Sequence, residues 1–418
     1  MGAIHWSQTQ TPKASDATIS FSLEWAMNNF SSGFSALGRK EYEKERLGRD
    51  RLGEGDQSDS DSEPARCEWD FSLSTVVSSG ASAAVSDALG VIEFDPSNTV
   101  VATGGIARKI RIYNLKSLLP QDKSRAFQGE QGDVAFLDHG NACSYYICTP
   151  AKLSSLRWKP GSGGRLLGSG DYDGVVTEYD LERQLPVFER DEHGGKRVWS
   201  VDYSHWDPLI GASGSDDGTM QMWDPRCGGS EGGGCVAKVQ PTAARSSVCC
   251  VEFSPFRDAL IAVGCADRKA YTYDVRRTKE PLHVLEGHSK TVTYVRFLDT
   301  ETMVSAGIDG CLKLWNIKEP RLIRTYKGHL NSRSFVGLSV WRHGGLLGCG
   351  SENNQVFVYD KRWGEPIWIR GLEPMVGAEF NHGFVNSVCW RQVQEDRCTL
   401  LAGGSNGVLQ VFVGTKKS

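Results

Sequence analysis

The chain has 418 residues, 39% of them hydrophobic, and its 47 Lys plus Arg against 51 Asp plus Glu leave a net charge of −4. A chain this long buries a large core, its near-neutral charge argues against a nucleic-acid module, whose footprint is basic, and it lacks the run of about 18 apolar residues that spans a membrane. Twelve cysteines without a CxxC pair fit reduced thiols of an intracellular protein better than a disulfide frame or a zinc site. The first ten residues carry no charged n-region and no apolar h-region, so no secretory signal is expected.

Residues 1–68 read differently from the rest. Phe21, Leu23, Trp25, Met27 and Phe30 form one short apolar patch, followed by mixed charges from Arg39 to Arg46 and by the acidic run DQSDSDSE from Asp56 to Glu63. This composition buries too little surface to offset ordering entropy, so a disordered N-terminal extension is expected. Glu43 lies three residues before Arg46, spacing that supports a transient helix. Ser60 and Ser62 sit in acidic context as candidate phosphate acceptors, and Phe21 to Phe30 as a docking arm.

From Val91 one pattern recurs seven times: an apolar strand, a turn, a small-residue strand, an Asp or Asn turn, then a strand ending in an aromatic plus Asp or Asn. The copies start at Val91, Leu156, Trp199, Val248, Val292, Val336 and Val388. Endings include Tyr113-Asn114, Tyr179-Asp180, Trp223-Asp224, Tyr273-Asp274, Trp315-Asn316 and Tyr359-Asp360, with Phe412-Val413 in the seventh. A repeat of roughly 40–50 residues with such endings is the signature of a propeller. The 350 residues after residue 68 allow 50 for each of seven units. Each unit supplies four short strands, and one such sheet cannot bury both faces alone. Radial packing against two neighbours does so. The expected fold is all-β, a seven-bladed WD-repeat β-propeller over residues 69–418. The fifth unit carries the fullest internal set, Gly287-His288, Ser305, Asp309 and Trp315, with the turn Asp bonding the His and with Ser and Trp extending the network. The sixth has Gly328-His329 but Glu352-Asn353-Asn354 in its turn, so its network must differ. The last unit ends five residues before the final residue and lacks an outermost strand. The alternating segment Trp69 to Val77 is expected to supply it and close the ring.

In a propeller the starts of the inner strands and the turns between second and third strands share one face. Lys152, Arg197, Trp199, Lys290 and Phe335 occupy inner-strand starts, and Tyr172 a second-to-third turn. Three cations and three aromatics around one mouth suit an extended peptide with apolar anchors and acidic flanks. Aromatics and cations at such positions also simply line channels, which is the plainer reading of any one of them. A second motif is Trp223-Asp224-Pro225-Arg226, echoed by Tyr273-Asp274-Val275-Arg276. Trp-Asp is the usual strand ending, so only Arg226 carries a signal beyond structure.

The runs GSGDYDGVVTEYD, KRVWSVDYS, VCCVEFSP, GHSKTVTYVRFL, GHLNSRSFVGLSV and CGSENNQVFVYDK resemble the constitutive-photomorphogenic and SPA light-signalling proteins of plants, across all seven repeats. No RING framework, long coiled coil or kinase-like domain accompanies them. With RCEWDF at 66–71 the chain is most similar to the third branch, the repressor-of-UV-B-photomorphogenesis WD-repeat proteins. That resemblance implies a nuclear and cytoplasmic negative regulator that binds the UV-B photoreceptor, promotes its return to the inactive dimer and competes with the photomorphogenic E3 ligase. It implies that the mouth takes Val-Pro peptides from the photoreceptor tail, and that the photoreceptor core, light-signalling transcription factors and the ligase itself are further partners. Where the ligase has an acidic residue three positions before the Phe, this chain has Ser332, followed by Arg333, so a more positive mouth is expected. The WDxR pattern resembles that of cullin-four substrate receptors, which implies an adaptor contact through Trp223, Asp224 and Arg226 as the alternative function.

No enzyme fingerprint is present: GxSxG, HExxH, P-loop and Rossmann motifs are missing. The glycine runs at 161–164 and 228–234 open no helix and read as loops, the second as an insertion between repeats three and four. Cys249 and Cys250 point to opposite faces of one strand and cannot chelate one ion. No catalytic residue, cofactor, metal, nucleic-acid or membrane partner is expected.

Overall fold

The computed structural model describes residues 65–79, 87–119, 134–227, 234–372, 383–394 and 396–417. The apolar patch at 21–30 expected as a docking arm, and the candidate phosphate acceptors Ser60 and Ser62, lie outside the described residues.

Seven sheets, antiparallel but for one added edge strand in the seventh, form the blades of a propeller, each running outward from an inner strand. The inner strands are Leu89–Phe94, Leu153–Trp158, Val198–Tyr203, Val248–Phe253, Val292–Phe297, Leu338–Trp341 and Val385–Trp390 for blades one to seven. The core is distributed. Each blade-to-blade interface has its own apolar cluster, such as Ala212, Met220 and Met222 of blade three against Val251, Ile261 and Val263 of blade four.

The inner strands are also stitched sideways by polar side chains. The hydroxyls of Ser155, Ser200 and Ser339 accept the backbone N–H of Val201, Val251 and Trp390 in the following blade, at 3.0, 3.2 and 2.9 Å. Asp202 and Glu252 do the same for Phe253 and Phe297, each at 2.7 Å. These bonds satisfy backbone donors that no strand ladder reaches at the channel wall.

A register shift recurs at the second residue of the inner strand in blades one to five and in blade seven. Such a bulge leaves one residue unpaired and re-aims its side chain. In blade three that residue is Trp199. Blade six has Gly337 near this place, with φ +73°, and a Cβ there would meet the backbone of Ser387 and Val388. Only glycine fits both demands.

Blade five carries the expected polar network. His288 bonds Asp309 at 3.0 Å and Ser305 Oγ at 2.8 Å, and Trp315 Nε1 donates to the same hydroxyl at 2.8 Å. Blade three has a shorter version, His193 to Asp217 at 3.0 Å and to Ser213 Oγ at 2.7 Å. In blade six His329 turns instead to the Tyr359 hydroxyl at 3.0 Å.

Trp69–Ser78 lies antiparallel to Leu409–Lys416 as the fourth strand of blade seven, from Trp69 opposite Lys416 to Val77 opposite Leu409. Trp69 packs edge-on to Trp341 at 5.1 Å. From Thr75 to Ser78 the other edge of this strand is covered by a parallel strand, Ala135–Asp138. That fifth strand protects an edge otherwise left bare. Nearby, His139 spans from the Tyr113 hydroxyl to the Gly407 carbonyl, both at 2.7 Å, and so ties blade one to blade seven. The residue before Trp69–Ser78, Glu68, meets blades six and seven: it pairs with Arg362 at 3.0 Å, and its carbonyl accepts from Lys417 N–H.

The glycine run ending at Gly234 does not separate blades three and four. It falls inside blade three, between the third strand Met220–Trp223 and the outermost strand Cys235–Val239.

Candidate partner-binding mouth

The first mouth residues are set by two copies of one backbone bond. Tyr172 N–H donates to the Lys152 carbonyl at 2.9 Å in blade two, and Asp216 N–H to the Arg197 carbonyl at 3.0 Å in blade three. Each bond pins the second-to-third turn beside the start of the inner strand. Tyr172 therefore stands next to Lys152, and Asp216 next to Arg197.

Side chains then join across blades. The Arg197 guanidinium lies 4.0 Å from the Tyr172 ring centre and 4.5 Å from that of Trp199, a cation held by two aromatics. Trp199, aimed by its bulge, stacks on Phe335 of blade six at 4.3 Å with the ring planes 3° apart. Tyr294 of blade five meets Phe335 edge-on at 5.8 Å. Two carboxylates fix this assembly. Asp216 accepts the Trp199 indole N–H at 2.6 Å. Glu352 accepts from the Ser332 hydroxyl at 2.7 Å and from the N–H groups of Arg333 and Ser334, each at 2.8 Å, which holds the chain entering Phe335. Burial opposes the Glu352 charge, but these three donors outweigh it and hold its carboxyl below the usual range. A negative charge thus sits beside Ser332. Burial pushes the Tyr172 phenol up, so this ring stays neutral.

The structure thus brings Tyr172, Arg197, Trp199 and Phe335 into one contiguous run. Lys152 and Lys290 are exposed at the same end of blades two and five, and Lys290 lies one position before the equivalent of Arg197. Tyr294 and Asp216 were not singled out from sequence, and Glu352 was noted there only for the turn of the sixth repeat. Asp216 had a signal, since it occupies in blade three the turn position of Tyr172.

Below the rings the channel narrows into a cavity of about 340 Å³ lined by Trp199, Tyr294, Ser154, Ser200, Arg157 and Arg296, among others. Its floor is ionic. Arg157 pairs with Glu93 at 2.9 Å and Asp202 at 3.1 Å, and Arg342 with Glu252 at 3.2 Å. Such buried pairs hold geometry more than they stabilise, since desolvation offsets most of their attraction.

On the opposite face Trp223 is fully buried and Asp224 nearly so, while Arg226 is half exposed. The Arg226 guanidinium folds back onto Asp224 at 2.6 Å and also reaches Asp207. The same clamp joins Arg276 to Asp274 and Arg362 to Asp360, at 2.7 and 2.8 Å. The third copy stands in the sequence as Tyr359-Asp360-Lys361-Arg362. Three copies mark Asp-x-Arg as a local tie at the end of a third strand. Among the described residues no His, Cys, Asp and Glu group has metal-site geometry.

Residues 195–376 match a family model described as the nucleolar protein 10-like N-terminal domain. The chain is 62% identical over 336 residues to the WD repeat-containing protein RUP2 of Arabidopsis thaliana, covering 79% of this chain and 89% of that protein. It is 60% identical over 351 residues to RUP1 of the same plant, covering 84% and 86%. To the Arabidopsis E3 ubiquitin-protein ligase COP1 it is 36% identical over 327 residues, which is 77% of this chain but 44% of the ligase. By this identity and coverage, the chain belongs to the RUP family of WD repeat-containing proteins.

Proposed function

We propose that this chain is a non-catalytic negative regulator of UV-B signalling, which binds the UV-B photoreceptor, favours its return to the inactive dimer and competes with the photomorphogenic E3 ligase. The observation that carries the reading is the run Tyr172–Arg197–Trp199–Phe335, held rigid by Asp216 and Glu352. Rigid aromatics around a cation bind an extended peptide with little ordering cost. Competition follows from the shared propeller: a chain 36% identical to the ligase across its blades presents a related mouth to the same Val-Pro tail. Re-dimerisation needs no chemistry. A protein that contacts two photoreceptor subunits better than one shifts the equilibrium by its differential affinity.

The test is photoreceptor re-dimerisation after UV-B, with purified components and no ligase. Wild-type chain is compared with a folded Lys152→Glu, Trp199→Ala variant. Acceleration by the wild type that the variant loses supports the reading. Acceleration by both moves the site elsewhere on the propeller, and none by the wild type refutes it.

The alternative, a cullin-four substrate receptor acting on light-signalling transcription regulators, draws on the half-exposed Arg226. Its own clamp already uses that guanidinium twice, which ranks this reading second. Arg226→Ala separates the two: it abolishes adaptor binding under the alternative and leaves re-dimerisation unchanged.

A further inference from the structure

We propose that the channel beneath the mouth holds a carboxylate subsite, where an acidic side chain of the bound peptide pairs with Arg296. The inference rests on the peptide-binding reading and adds one inward-pointing position to the ligand.

The strand register sets the site. As the fifth residue of the inner strand, blades one to five place Glu93, Arg157, Asp202, Glu252 and Arg296 at one level. Most of these charges are spoken for. Arg157 has Glu93 and Asp202, and Arg342, entering from below, has Glu252 and the Phe297 carbonyl. Asp202 and Glu252 also accept backbone N–H groups of the next blade. Arg296 is different. Its Nη1 donates to the Val295 carbonyl at 2.8 Å and lies 3.2 Å from Cys250 Sγ, and among the described residues no carboxylate is within ion-pair distance. Arg296 itself lines the cavity.

Position makes this cation reachable. The guanidinium is 5.6 Å from the Tyr294 ring centre, and that ring is 5.8 Å from Phe335. Arg296 is thus separated from the stacked pair by one ring, Tyr294, and an Asp or Glu side chain entering the cavity from a backbone across the mouth would meet it. A carboxylate there makes charge-assisted, two-pronged bonds to a guanidinium that the channel wall half-buries. The cavity discriminates among anions. Glu93 and Glu252 line the same space and repel a phosphate dianion more strongly than a single planar carboxylate.

The experiment uses fluorescein-labelled ten-residue Val-Pro peptides in which every flanking position is Ser or Gln, with one Glu moved through those positions in turn. Binding is read by fluorescence anisotropy. One position is expected to gain tenfold or more on the wild-type chain. That gain vanishes in Arg296→Met and in Arg296→Gln, while both variants bind the Glu-free parent within twofold of wild type, which also shows that they fold. No gain at any position overturns the proposal. So does a gain that survives both Arg296 variants but is lost in Lys152→Met or Lys290→Met, since the acid then meets the exposed rim. Failure of the parent peptide to bind the wild type overturns the peptide-binding reading itself, and the subsite with it.

Discussion

Trp199→Ala probes the mouth most directly. The indole touches three partners: Phe335 stacked at 4.3 Å, the Arg197 guanidinium at 4.5 Å, and the Asp216 carboxylate through its N–H at 2.6 Å. In the free protein the stack contributes about 0.5–1.5 kcal/mol. The hydrogen bond adds less than the 1.5–3 kcal/mol typical of charged acceptors, because both groups are partly exposed. The stability loss is therefore about 1–2 kcal/mol. Binding loses more. A central tryptophan anchor carries about 2–4 kcal/mol of affinity, and its loss weakens binding about 30- to 700-fold. The rings act as one platform, so Phe335→Ala added to Trp199→Ala costs less than Phe335→Ala alone, by about 1 kcal/mol in a double-mutant cycle. The assay is anisotropy of a labelled Val-Pro peptide, paired with urea unfolding of each variant. A folded Trp199→Ala chain that loses under threefold in affinity, or a strictly additive cycle, refutes the argument.

Further predictions follow from the blades. Ser305→Ala orphans two buried partners, His288 and the Trp315 N–H, and costs about 2–4 kcal/mol, whereas Ser213→Ala orphans only His193 and costs about 1–2 kcal/mol. Equal shifts in urea unfolding would contradict this. Trp69→Ala removes a nearly buried ring from the strand that closes blade seven and costs about 3–5 kcal/mol, read as a lower thermal midpoint. Burial holds the His329 imidazole down at about 4, against 6.5 for a free His. The unfolded chain therefore binds the extra proton first, and stability falls as pH drops from about 6.5 towards about 4, by about 1.4 kcal/mol per pH unit for this group. His329→Phe flattens that stretch of the stability–pH curve by one proton's slope, and an unchanged curve would place the linkage elsewhere.

The propeller was legible because its information is local. Six of the seven blades end the third strand with an aromatic plus Asp or Asn, and turn residues punctuate the strands at similar spacing, so the count of seven needed no long-range contact. Outer strands were less legible. Cys235–Val239 is exposed along most of its length, so no strong alternation marked it, and the glycine run before it was read as a break between blades. His139 was invisible for a related reason. It follows Asp138 rather than a glycine, and its partner carbonyl is 268 residues away.

The mouth was legible by residue type but not by mechanism. Cations and aromatics at strand starts announce a surface, yet what aims Trp199 is a one-residue shift in pairing, which side-chain pattern alone does not reveal. The same holds for charge. Ser332 in place of an acid suggested a more positive rim, but Glu352, twenty residues on, returns a carboxylate to that spot through three hydrogen bonds. Because that carboxylate is spent on holding the chain before Phe335, Glu352→Gln separates the two roles. Gln preserves acceptance at one oxygen and removes the charge. If Glu352 acts by position, Gln keeps most peptide affinity and Glu352→Ala loses about 1–3 kcal/mol of it. If it acts by charge against acidic ligand flanks, Gln instead binds such peptides more tightly than wild type, and the gain shrinks with added salt. The positional role predicts the first pattern, and the second would overturn it.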